Sequence, residues 1–163
     1  MVIPTPSGYT CSTECNTGGD IAGIVESTGP DVYEFQRGQP VAAFHIMQNP
    51  HGSYAEYAIA PQHTVFPLPP SISFEETSTI PLAAMISAFA LKNLNLPSVF
   101  TPAPPNTRTL VLIYGGSTTV GAFAIKIAKQ ANIRPIIAIA GKGCGSCAIS
   151  GRMWSLATVL GMW

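Results

Sequence analysis

Between Thr109 and Ala140 the chain reads as a strand, a glycine turn, a helix and a second strand in immediate succession, an order that few folds accommodate. Leu110, Val111, Leu112 and Ile113 make an apolar, largely β-branched or leucine run too short for a helix, as a buried parallel strand requires. Tyr114-Gly115-Gly116-Ser117-Thr118-Thr119-Val120-Gly121 follows. Its glycines permit a tight turn, and its small hydroxylated residues leave backbone N–H groups uncovered. Val120, Phe123, Ala124, Ile127, Ala128 and Ala131 then recur at helical spacing, with Lys126, Lys129 and Gln130 on the opposite face. Ile136 to Ala140 is the second strand. The unit spans about 30 residues, the length of a dinucleotide-binding βαβ unit.

A strand that feeds a helix brings unpaired N–H groups and the positive end of the helix dipole to one point, where a pyrophosphate is stabilised. Gly115, Gly116, Ser117, Thr118, Thr119, Val120 and Gly121 are therefore the candidate cofactor-binding residues. The alternative is that Gly115, Gly116 and Gly121 serve only close strand-to-helix packing, and the residue pattern leaves both readings open.

Charge speaks to which nucleotide would sit there. All eight acidic residues lie at or before Glu76, and only basic residues follow it: Lys92, Arg108, Lys126, Lys129, Arg134, Lys142 and Arg152. An NAD site carries Asp or Glu at the end of the second strand to hold the ribose 2′-OH, and here that place reads Ala140-Gly141-Lys142-Gly143. A 2′-phosphate would meet Lys142 and no repulsion, which favours NADP(H). Otherwise Lys142 is a solvated loop lysine.

The composition, 47% hydrophobic and 10% charged over 163 residues, is that of a chain that folds and buries a core. A formal net charge of zero, with basic residues spread through helix and loop, argues against a nucleic-acid partner. No charged segment leads into an apolar run at the N-terminus, and Pro, Gly or Lys breaks every apolar stretch before about 18 residues, so a cytoplasmic protein without membrane association is expected. Cys11 and Cys15 form one pair and Cys144 and Cys147 another, in different halves and without a flanking His. Free thiols in a reducing compartment are expected from this, and no metal site.

Along the chain, residues 1–18 read as an irregular segment rich in Pro, Thr, Ser and Gly. Ile21 to Ser27, Val41 to Ile46 and Ser53 to Ile59 read as short strands, which places a small β-barrel or sandwich over 19–80. Ser73 with Glu76 makes a capping box at a helix start, and Pro81 opens a second helix, Leu82 to Leu94, whose few polar residues predict burial. This helix and the proline-dense stretch Asn95 to Asn106 make a link over 81–106. The βαβ unit then occupies 107–143.

Four segments taken together, in this order, resemble the medium-chain dehydrogenase/reductase superfamily, most closely its zinc-independent enoyl- and quinone-reductase branch, including fungal trans-acting enoyl reductases. They are Asp20 to Glu26 with Gly29, Gly52 to Tyr57, Ile80 to Met85, and Tyr114 to Gly121. The resemblance implies an α/β protein: a partial GroES-like β-barrel followed by an incomplete Rossmann domain, a doubly wound parallel sheet. It also implies NADPH between them and hydride delivery to an activated double bond or a quinone. Tyr54, His51 and His45 would then stand by the substrate cleft, the histidines as proton donors, and no catalytic acid or base is obligatory. Otherwise they are a barrel-core aromatic and structural or exposed loop histidines.

In zinc-dependent relatives a His follows the glycine before the first of these segments, whereas here Gly18-Gly19-Asp20 stands. That departure again points to no metal. Relative to the family pattern the chain looks truncated at both ends. Residues 144–163 read either as translated non-coding sequence or as a short amphipathic helix over an exposed sheet face. Two functional expectations follow: an NADPH-dependent reductase of small-molecule substrates, or a non-catalytic remnant, at most a nucleotide-binding or interaction module that self-associates through an uncovered sheet edge.

Overall fold

The computed structural model describes Val2–Ile3 and residues 18–140. Two compact units divide between Leu82 and Ala83.

In the first unit, strand β1 (Val2–Ile3) lies in the segment expected to be irregular. Strand β2 (Asp20–Ile24) is followed by β3 (Ser27–Thr28), which pairs with β1 in parallel. Strand β4 (Pro40–Phe44) runs antiparallel to β2, from Asp20 opposite Phe44 to Ile24 opposite Pro40, and β5 (Val65–Pro67) adds to its other edge. Alternation explains the core: Ile21, Val41 and Ala43 turn inward and meet Val25, Val32, Phe35, Ala58 and Ala60. Thr64 closes the approach to β5 by donating its hydroxyl to the Phe44 carbonyl at 2.6 Å.

The expected strand over Ser53 to Ile59 is absent. These residues bend instead, with only Ile59 in a single bridge, and the Ser53 and Ile59 amides donate to the Gly18 and His51 carbonyls. The physical reason is that both aromatic side chains, Tyr54 and Tyr57, stay in solvent, so a strand here would gain little apolar burial.

Helix α1 (Phe74–Thr77) has the capping box expected of it, with Ser73 Oγ accepting from the Glu76 amide and the Glu76 side chain accepting from the Ser73 amide. Helix α2 (Pro81–Asn93) starts at the expected proline. Its first turn is held from 62 positions away, since Asp20 Oδ1 accepts from the Leu82 amide at 2.6 Å. This carboxylate satisfies an otherwise open donor and faces the positive helix end. Asp20→Ala is expected to destabilise the protein by about 1 kcal/mol, read as a lowered urea midpoint followed by circular dichroism; an unchanged midpoint would remove the cap from the account.

The expected burial of α2 is corrected. Only Ala83, Ser87 and Leu91 are covered along its length beyond the first residue, whereas Met85, Ile86 and Phe89 are exposed. An apolar composition therefore overstates the contact: among the described residues one stripe at four-residue spacing is packed.

The second unit holds the βαβ arrangement. Strand β6 (Val111–Tyr114), helix α3 (Thr119–Gln130) and strand β7 (Ile136–Ile139) follow in order, and β6 pairs with β7 in parallel from Val111 opposite Ile136 to Tyr114 opposite Ile139. Burial on α3 falls on Gly121, Ile125 and Ala128, a stripe turned toward Ile125 from the one expected. Strand β6 is not buried on both faces as expected: Val111 is covered, whereas Leu112 is 62% exposed.

Both helices end in the same way. Asn95 and Asn132 take positive φ (52° and 57°), and the following amides reach back five residues, Leu96 to the Leu91 carbonyl and Ile133 to the Ala128 carbonyl. This is a Schellman closure with asparagine in place of glycine. It delivers Leu96 and Ile133 to the core formed by Leu91, Val111, Ala128 and Ala131. Asn132 Nδ2 also donates to the Ala103 carbonyl at 2.8 Å, which pins the proline-dense link.

Candidate functional site

The turn between β6 and α3 is built by the sheet it leaves. Gly115 takes φ +82°, and the amides of Gly115 and Gly116 both donate to the Ile139 carbonyl at 2.9 Å. Gly121 lies so close to the turn that a Cβ there would stand 2.2 Å from the Gly115 oxygen. A Cβ on Gly116 would come to 3.0 Å from the Ala138 Cβ. These glycines therefore have a packing reason of their own.

Thr118 starts the helix. It has extended backbone (φ −77°, ψ 160°), its Oγ1 accepts from the Gly121 amide at 3.1 Å and its hydroxyl donates to the Gly115 carbonyl at 2.8 Å. The Thr118 amide also donates to the Gly115 carbonyl and the Ala122 amide to the Thr118 carbonyl. Three amides of the bend remain. Among the described residues no acceptor meets the N–H of Ser117, Thr119 or Val120. Ser117, Thr118 and Thr119 are exposed, and the first turn of α3 carries no acidic residue.

The arrangement suits a dianionic oxygen group: open donors and hydroxyls at the positive end of a helix, without a carboxylate to repel it. Sequence reasoning named this bend but could not tell its amides apart, because Gly115 and Gly116 are consumed by a carbonyl from the next strand. No local signal reports that. The Asp20 cap on α2 was missed for the same reason, its partner being distant in sequence.

The other candidates stand in the first unit. His45 is 3% exposed, with Nδ1 2.6 Å from the Ile59 oxygen and Nε2 3.0 Å from the Asn49 oxygen, so its ring lies between two loop carbonyls. His51 is exposed with φ +66°, and its carbonyl accepts from the Ile59 amide. Tyr54 is 80% exposed. Beside that loop, a groove of about 470 Å³ is lined by Asp20, Ala22, Ile24, Ser53, Glu56 and Tyr57 among others. Lys142 and all four cysteines lie outside the described residues. Among the described residues no group of three or more His, Cys, Asp or Glu is placed to hold a metal ion, and no helix is long and apolar enough to cross a membrane.

Residues 4–70 match the alcohol dehydrogenase GroES-like domain. The trans-enoyl reductase fsr4 of Gibberella fujikuroi is 38% identical over 84% of this chain and 41% of its own length. The chain thus spans about two fifths of the curated relatives it matches. Among solved structures, a putative zinc-dependent alcohol dehydrogenase protein from Rhizobium etli CFN 42 superposes with TM-score 0.67 and 30% identity, covering 80% of this chain and 38% of that one. The quinone oxidoreductase from Coxiella burnetii gives TM-score 0.64 at 26% identity, covering 82% and 39%. With a GroES-like region leading into a Rossmann-type βαβ unit, and with enoyl and quinone reductases as its relatives, the chain belongs to the medium-chain dehydrogenase/reductase superfamily.

Proposed function

We propose that the chain is an NADPH-binding reductase module whose relatives' chemistry is hydride delivery to an activated C=C bond or a quinone. One observation carries the reading: among the described residues the amides of Ser117, Thr119 and Val120 meet no acceptor, and they are gathered at the start of α3. When bound, the nicotinamide supplies the hydride. The chain's own share is to hold the diphosphate at these amides and at the Ser117 and Thr119 hydroxyls, with the positive helix end balancing its charge. No side chain is assigned as a catalytic acid or base. A small-molecule substrate is expected, consistent with the reductases it resembles.

The preference for NADPH rests on charge. No carboxylate follows Glu76, and Lys142 comes two residues after Ala140, at the end of the second strand. NADPH is expected to bind about tenfold tighter than NADH, the effect of one charge-assisted contact, and Lys142→Glu is expected to abolish the difference. Fluorescence titration of the purified chain with each nucleotide measures this. No binding of either nucleotide at millimolar concentration would overturn the proposal.

A second reading has an observation of its own. Leu110, just before β6, and Leu112 and Tyr114 within it are 61%, 62% and 81% exposed, an apolar row at alternate positions. Such a row suits a non-catalytic module that associates with another copy. Light scattering across a concentration series separates the two: a monomer that binds NADPH supports the reductase reading, and a concentration-dependent oligomer without nucleotide binding supports the second.

A further inference from the structure

Ser87 is the one hydroxyl of α2 that is fully covered, at 0% exposure, and it has two carbonyl partners. Its Oγ lies 2.7 Å from the Ala83 carbonyl of its own helix and 2.7 Å from the Val120 carbonyl in the first turn of α3. A buried serine in a helix needs only the carbonyl four residues back. The single hydroxyl proton is shared between the two carbonyls, and its share on Val120 is a tie between α2 and the bend.

The tied peptide unit is an informative one. The Val120 carbonyl and the Gly121 N–H belong to a single planar group. Ser87 holds its oxygen end, while Thr118 Oγ1 holds its N–H end at 3.1 Å. The open Val120 amide belongs to the preceding peptide, one Cα away, and Gly121 cannot move toward the turn because Gly115 is already in contact with it. Holding this plane restrains the neighbouring Val120 N–H, which is separated from it only by the Val120 φ and ψ.

We infer that Ser87 is a positioning residue for the diphosphate: through the Val120 carbonyl it orients the open amides of the bend without touching the ligand. This rests on the reading that the bend binds a nucleotide. Loss of the hydroxyl leaves no carbonyl stranded, because both acceptors also lie within α-helices and take the N–H four residues on. The consequence is looser aim, with the fold retained.

The test is calorimetric titration of the full chain and of Ser87→Ala with NADPH and with adenosine 2′-monophosphate, which has no 5′-diphosphate. Ser87→Ala is expected to weaken NADPH about tenfold and to leave the monophosphate unchanged. Ser87→Cys, with a weak S–H donor, is expected to fall between, and it carries the test if the alanine variant does not fold. Equal losses for both ligands, or no loss for NADPH, would overturn the inference while leaving the nucleotide reading in place. A wild-type chain that binds no NADPH would overturn both.

Discussion

Gly121→Ala is expected to destabilise the second unit by about 2 kcal/mol and to abolish nucleotide binding. Ordinarily the substitution would help, since alanine is favoured over glycine in a helix by about 1 kcal/mol. The sign reverses because the new methyl group would stand 2.2 Å from the Gly115 oxygen, with the Gly115 carbonyl carbon and the Gly116 Cα both at 2.9 Å. All three are backbone atoms of the turn. Relief requires moving either the helix or the turn, and the turn is held by two hydrogen bonds to Ile139. A lowered urea midpoint together with a flat NADPH titration is the expected result. A raised midpoint would show that helix propensity wins and that the close approach is not a constraint.

The second large effect is Ile133→Ala, expected to cost about 3 kcal/mol. Ile133 is fully covered and, among the described residues, is the largest side chain so placed. It belongs to the cluster with Leu91, Val111, Ala128 and Ala131, against which Leu96, Ile113, Ile127 and Ile136 also pack, so its removal leaves a cavity among apolar neighbours. Its backbone amide simultaneously closes α3 on the Ala128 carbonyl. The loss is read by chemical denaturation followed by circular dichroism. Ile133→Val, which removes one methylene, is expected to cost about 1 kcal/mol; equal effects from the two would contradict the packing argument.

What could be read from the chain beforehand follows the reach of each interaction. The βαβ order was legible because strand, turn and helix periods lie side by side between Leu110 and Ile139. The Ser73–Glu76 capping box was legible because both partners sit within one turn. Strand β5 escaped notice: three residues ending in Pro67 carry no alternation, and the strand exists because Val41, Ala42 and Ala43 offer it an edge. Ser53 to Ile59 misled in the opposite direction, since aromatic and small residues suggest a strand, whereas Tyr54 and Tyr57 stay exposed. At the candidate site the bend was legible, whereas the division of its amides into used and open was not. That division depends on where the Ile139 carbonyl arrives, which is a property of the assembled sheet.

The double donation from Gly115 and Gly116 to one carbonyl has a consequence for how quickly an anion can be captured. A loop already laced to its neighbouring strand has little freedom left to surrender on encounter, so the entropic toll of ordering it falls on folding. Capture would then be limited by diffusion and by the attraction between a phosphate and the helix end, and would slow as added salt screens that attraction.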